Sequence, residues 1–193
     1  MGYDMYWCQD ARDEASYENA LQAFYQAVTS RDAGECDQSV VEEAFERMSG
    51  AEPGYFRLNI WGMGVCRRLM GQFEMAYQSA PDSDLSAACY KAREESADNE
   101  VPDDLADSYL RSGATSVPGI AMHKLTSNDG WIVTPMECVG ALSQWQKWCY
   151  DNGCDEDFIP SADVDGEEQK IEWWGEWLEY LRAAALHGGF RVY

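Results

Sequence analysis

The chain has 193 residues, 46% of them apolar and 13% aromatic, which excludes a disordered polymer and allows a core burying roughly 70% of the unfolded surface. Asp and Glu number 35 against 14 Lys and Arg, a formal net charge of -21. A surface so acidic repels phosphate backbones, and the adjacent pair Arg67-Arg68 is too small a basic patch to reverse this, so direct nucleic-acid binding is not expected.

At the amino terminus "GYDMYWC" alternates Tyr3, Met5 and Trp7 with Asp4, Tyr6 and Cys8, the periodicity of a strand. Between 13 and 29, Tyr17, Leu21, Phe24 and Val28 recur at helical spacing and predict a surface helix facing a core. "SVVEEAFERMSG" predicts a second helix, with Ser39 as N-cap, Glu42 completing a capping box and Gly50 as a left-handed stop. "GYFRLNIWGMGVCRRLMGQF" reads as an extended entry, a cap at Asn59, and a helix burying Met63, Cys66, Leu69, Met70 and Phe73. Gly62, Gly64 and Gly71 in that helix are expected to mark close packing of another element. Two shorter helices are predicted at 84–95 and 103–111.

"IAMHKL" and "WIVT" are β-prone runs joined by Ser127, Asn128, Asp129 and Gly130, which suits a hairpin with glycine in the left-handed region. Thr134, Pro135 and Glu137 then supply an N-cap, a first helical position and a capping box for a helix ending at Gly153. Within the acidic stretch 155–172, "SADVDGEEQKIE" at 161–172 half-matches a calcium-binding loop, with Asp163, Asp165, Gly166 and Glu172 in register. Ser161 stands where an Asp belongs and Pro160 bars an entering helix, so the segment is read as a polar loop in which Asp163 or Asp165 caps the final helix. That helix runs from Lys170 on a stripe of Ile171, Trp174, Leu178, Leu181 and Ala185, stops at Gly188 and Gly189, and leaves "FRVY" as a terminal strand.

These elements predict an α+β fold: one domain over 1–193, with a small, mainly antiparallel sheet from both termini and a hairpin near 120–134, covered by about five or six helices. The first twenty residues lack a basic start and an apolar run, and nothing approaches the roughly 20 apolar residues of a membrane span. Seven cysteines without CxxC spacing suit a reducing compartment. A cytoplasmic protein without membrane attachment is expected.

Three patches, "GYFRLNIWGM" at 54–63, "SNDGWIVTPMEC" at 127–138 and "HGGFRV" at 187–192, resemble an uncharacterised family of bacterial and bacteriophage proteins. No activity is known for that family, so the resemblance implies no catalytic residues. It implies a small accessory protein rather than a metabolic enzyme.

For function, the leading expectation is a non-catalytic interaction, regulatory or inhibitor protein, which binds another protein of basic character through an acidic, tryptophan-bearing surface. Its candidate residues are Asp103, Asp104 and Asp107 in one acidic run, Asn128 and Asp129 in the turn, and Trp145, Trp148, Trp173 and Trp177. The same tryptophans leave open a small-molecule module with an aromatic-lined pocket. A hydrolase using His123 or His187 is the third class, although no nucleophile elbow or cysteine-centred signature is present. Two histidines and scattered cysteines lack metal-ligand spacing, and neither a metal nor a cofactor is expected.

Overall fold

Both chain ends lie in one sheet. Strand β1 (Gly2–Trp7) buries Tyr3 and Met5, and β8 (Phe190–Val192) buries Phe190 and Val192. With β2 (Tyr55–Asn59) and β5 (Trp131–Val133) they form a four-stranded sheet in the order β2-β1-β8-β5. Strand β8 runs antiparallel to both neighbours, pairing Val192 with Met5 and Trp131, and Phe190 with Trp7 and Val133. The computed structural model describes residues 2–8, 14–34, 36–50, 54–96, 98–113, 118–155 and 157–193. By its contacts the chain divides into two units, Met1–Gln9 with Phe56–Tyr193, and Asp10–Tyr55.

The second unit holds α1 (Glu14–Asp32) and α2 (Gln38–Gly50), where Ala27, Val41 and Ala44 are buried together. Ser39 does not cap α2. It is the second helical residue, and Asp37 stands before the first, where aspartate serves as well as serine.

In the first unit, Asn59 caps α3 (Ile60–Gln72) by accepting from the Gly62 N–H at 2.7 Å, and the helix buries Met63, Cys66, Leu69 and Met70 as its pattern predicts. The close packing expected at Gly64 is absent, since a methyl there would meet nothing within 4 Å. It occurs instead at Gly140, where a methyl would sit 2.6 Å from the Gly119 nitrogen and force α6 (Pro135–Asn152) off the chain beside it. Helices α4 (Ser83–Glu95) and α5 (Asp103–Leu110) bury no side chain. Thr134 and Glu137 form the expected capping box on α6, and Gly153 closes it at φ 66°. With α7 (Trp174–Leu186) there are seven helices among the described residues, and the α+β class holds.

Two expected pairings differ. "IAMHKL" is not one arm of a hairpin: β4 (Ile120–Ala121) pairs in parallel with β3 (Ala76–Tyr77), and Met122–Leu125 forms a 3-10 turn. The turn closes because the His123 carbonyl accepts from the Thr126 N–H at 3.1 Å and hydroxyl at 2.7 Å rather than from a neighbouring strand. The segment read as a polar loop is itself a hairpin, β6 (Ser161–Val164) with β7 (Glu167–Lys170), turning at Asp165 (φ 56°) and Gly166 (φ 86°). Two successive positive φ values match the tight turn whose twist suits antiparallel strands. Asp163 accepts from the Gly166 N–H at 3.0 Å, and neither it nor Asp165 caps α7, which begins only at Trp174.

The core lies among the four-stranded sheet, α3, α6 and α7. Phe73, Trp145 and Trp174 meet edge to face with centroids 4.9 to 5.6 Å apart, a favourable arrangement for aromatic quadrupoles. Among the described residues no helix is long and apolar enough to cross a membrane.

Candidate functional site

The surface around α5 gathers four of the residues singled out in the sequence. Pro102 stops the preceding chain from continuing as helix, and Asp103 and Asp104 occupy the first turn, where the helix dipole favours negative charge. Asp103, Asp104, Asp107 and Ser108 line a concavity of about 600 Å³ together with Ala106, Leu110 and Arg191. Arg191 lies 3.5 Å from Asp107, and Arg111 is closer, donating to the same residue at 2.6 Å. The hydrogen bond that Arg111 donates to the Asp107 carboxylate holds the Arg111 pKa above its ordinary value. Asp107 is therefore satisfied. The carboxylates of Asp103 and Asp104 face solvent without a hydrogen bond or ion pair among the described residues.

Beyond α5 lies a second concavity of about 420 Å³, lined by Cys89, Tyr90, Arg93, Val101, Tyr109 and Asp129 among others. Ala106 and Leu110 contribute to both concavities, so α5 is a ridge between them. Asn128 is exposed beside Asp129.

The four tryptophans lie elsewhere. Trp145 is fully buried and stacks on half-buried Trp148 at 5.8 Å, while Trp177 is fully buried against Phe56 and Phe190. Trp173 is half-buried beside Trp174. These rings fill the core rather than line the α5 concavities. The tryptophan that faces water is Trp61, 78% exposed, which the sequence reading passed over.

Sequence reasoning also missed a buried ion pair beneath the α5 terminus. Lys124 is 0% exposed and Glu137 4%, with Nζ 2.8 Å from Oε2. Nζ also donates to the Arg111 carbonyl at 3.0 Å, and the Glu137 carboxylate accepts from the Thr134 N–H, the Thr134 hydroxyl and the Ala121 N–H. Burial pulls the Lys124 pKa below its ordinary value, against the pull of Glu137 in the other direction. Such a pair holds three chain segments in register, and its loss would strand a charge.

His123, next in sequence, lies over Gly113 and contacts the Ser79 hydroxyl through Nδ1 at 2.9 Å. Its Nε2 is buried without a partner among the described residues. Burial first, then the Lys124 ammonium, lowers its pKa, with Glu137 opposing. His187 follows α7 and stacks on Trp7 at 4.3 Å. Neither histidine lines the α5 concavities. All seven cysteines are thiols, and burial pushes the pKa values of Cys66 and Cys138 far up, which leaves them poor nucleophiles. No group of three or more potential ligands with metal-binding geometry occurs among the described residues.

Comparison with protein-family models, with curated proteins and with solved structures finds no match to this chain.

Proposed function

We propose that this chain is a small acidic interaction protein that binds a basic partner protein through the α5 face, as a regulator or inhibitor and without chemistry of its own. One observation carries the reading: Asp103 and Asp104 line a concavity of about 600 Å³ in which the cation present, Arg191, is directed at Asp107. Two uncompensated carboxylates in the first turn of one helix attract a cationic surface, and the net charge of -21 steers its approach. Thiol cysteines throughout suit the cytoplasm.

The test is binding of a fluorescein-labelled octapeptide of alternating arginine and glycine, followed by anisotropy. Affinity should fall steeply between low and physiological salt, and the double variant Asp103→Lys/Asp104→Lys should weaken it further. Affinity indifferent to salt, or to both reversals, defeats the proposal. The concavity containing Tyr90, Arg93, Tyr109 and Asp129 favours a second reading, a small-molecule module, since about 420 Å³ falls within the range of ligand sites. A rise in melting temperature with free amino acids, abolished by Arg93→Ala, would support that reading instead.

A further inference from the structure

We infer that the groove between α3 and the β6–β7 hairpin receives an arginine side chain from the basic partner, at a site separate from the α5 face. The inference rests on the proposal that the chain binds a basic protein. Trp61, Val65 and Arg68 lie three and four residues apart, and so share one face of α3. Opposite them the hairpin contributes Asp163, Val164 and Asp165, and together these six residues line a groove of about 400 Å³. Val65 is buried and Val164 half-buried, giving an apolar floor, while the Trp61 indole stands 78% exposed.

The polar rim is arranged for a cation. The Gly166 N–H donates to Asp163 Oδ1 at 3.0 Å, which fixes that carboxylate beside the turn. The Asp165 carboxylate has no hydrogen bond or ion pair among the described residues. Arg68 is the cation lining the groove, and its Nη2 donates to the Asp163 carbonyl at 2.7 Å rather than to either carboxylate. Its charge opposes a cationic guest, and the backbone bond holds it toward the β6 edge.

An aromatic face, an apolar floor and two carboxylates match the three parts of an arginine. Its methylenes suit the valines, its planar guanidinium stacks on indole, and its forked N–H groups bond carboxylate oxygens. Lysine supplies the charge without the plane or the fork. A second copy of this chain is a poor occupant, because two surfaces of net charge -21 repel each other. Tryptophan and arginine are also the residues that most often dominate binding energy across protein interfaces.

The arginine–glycine octapeptide again serves as the probe, beside versions carrying lysine or uncharged citrulline in place of arginine. Trp61→Ala should weaken binding of the arginine peptide about tenfold with an unchanged melting temperature, as expected for an exposed ring. Asp165→Asn provides an independent variant should Trp61→Ala perturb folding, and should weaken binding severalfold. The lysine peptide should bind less tightly than the arginine peptide, and the citrulline peptide should not bind measurably. If the wild-type protein binds the arginine peptide and both variants bind equally well, the groove assignment is wrong while the α5 proposal stands. Equal affinity for the lysine and arginine peptides also overturns it. Absence of binding by the wild-type protein removes both readings together.

Discussion

Two pairs of helices in the same unit are built on opposite terms. Helices α6 and α7 bury eleven side chains between them, five and six respectively, including Trp145, Trp174 and Trp177; α4 and α5 bury none. The first pair is held by apolar burial, at about 25 cal/mol per Å². The second is fixed mostly at one end, where the Tyr77 hydroxyl donates to the Gly113 carbonyl at 2.8 Å, Lys124 to the Arg111 carbonyl, and the Tyr109 ring lies 5.1 Å from Trp131. A helix attached in this way keeps its outer face available. The acidic residues of α5 can therefore answer to binding, while those of α6 and α7 answer to folding.

The largest effect should follow from deleting residues 190–193. Strand β8 lies between β1 and β5, so its removal breaks two ladders and exposes the core face that Phe190 and Val192 cover. Losing one buried Phe alone costs roughly 3–5 kcal/mol, a large part of the 5–15 kcal/mol typical of a whole domain. Cooperative thermal unfolding should vanish from circular dichroism. A truncated protein melting at the wild-type temperature would mean that the sheet is dispensable and the contrast between the helix pairs is misplaced.

The next effect sharpens the contrast, because the Lys124–Glu137 pair joins the two regions. Glu137→Ala strands a fully buried ammonium and removes the α6 capping box, and should cost roughly 3–5 kcal/mol in urea unfolding. Replacing both partners with Lys124→Met and Glu137→Leu should recover much of that loss, because no charge is left unpaired. Hydrogen exchange should rise in α5 more than in α7, since the Arg111 carbonyl loses its donor.

Much of this frame is legible in the sequence, for local reasons. Thr134, Pro135 and Glu137 carry the start of α6 within four residues, Asn59 caps α3 from its own side chain, and β1 and β8 show their burial by alternation. What failed depends on distance. The hairpin expected near 120–134 gave way because β5 found a partner 59 residues away, pairing Ile132 with Arg191. Asp165-Gly166 is a strong hairpin signal, but the same residues fall in register with a calcium loop, and the acidic flanks lack the apolar alternation that marks strands. The capping role of Glu137 is local and legible, yet nothing local shows that the same carboxylate also reaches Lys124. Of the candidate site, the aspartates of α5 are visible as a charge run, whereas which tryptophan faces water is decided by tertiary packing: Trp61 is exposed, and Trp145 and Trp177 are buried.

A smaller, pH-dependent effect should appear at His123. Its folded pKa lies below the ordinary value near 6.5, so the unfolded chain takes up the proton first as pH falls. Its contribution is fully present above about pH 6.5 and is lost as pH falls toward the folded pKa, at a slope of at most about 1.4 kcal/mol per pH unit. The stability difference between wild type and His123→Gln should therefore narrow between pH 7.5 and 5. A difference that stays constant across that range would place the imidazole in contact with solvent and not packed against Gly113.

The smallest expected effect is the most direct test of the division between fold and function. Asp103 and Asp104 occupy the first turn of α5, where each carboxylate gains about 0.3–1 kcal/mol from the helix dipole. Against this stands their repulsion by each other, by Asp107 and by the rest of a chain of net charge -21. In Asp103→Asn/Asp104→Asn the two terms oppose, and neither side chain is buried, so urea unfolding should change by less than about 0.5 kcal/mol. Raising salt should shrink even that, because both terms are screened. Binding of the arginine peptide should nevertheless fall in the same variant, since the cationic partner loses two unpaired charges and the remaining carboxylate of the concavity, Asp107, is already engaged by Arg111 and Arg191. A loss of several kcal/mol would show that α5 is held by its acids after all, and its face would then belong to folding like those of α6 and α7.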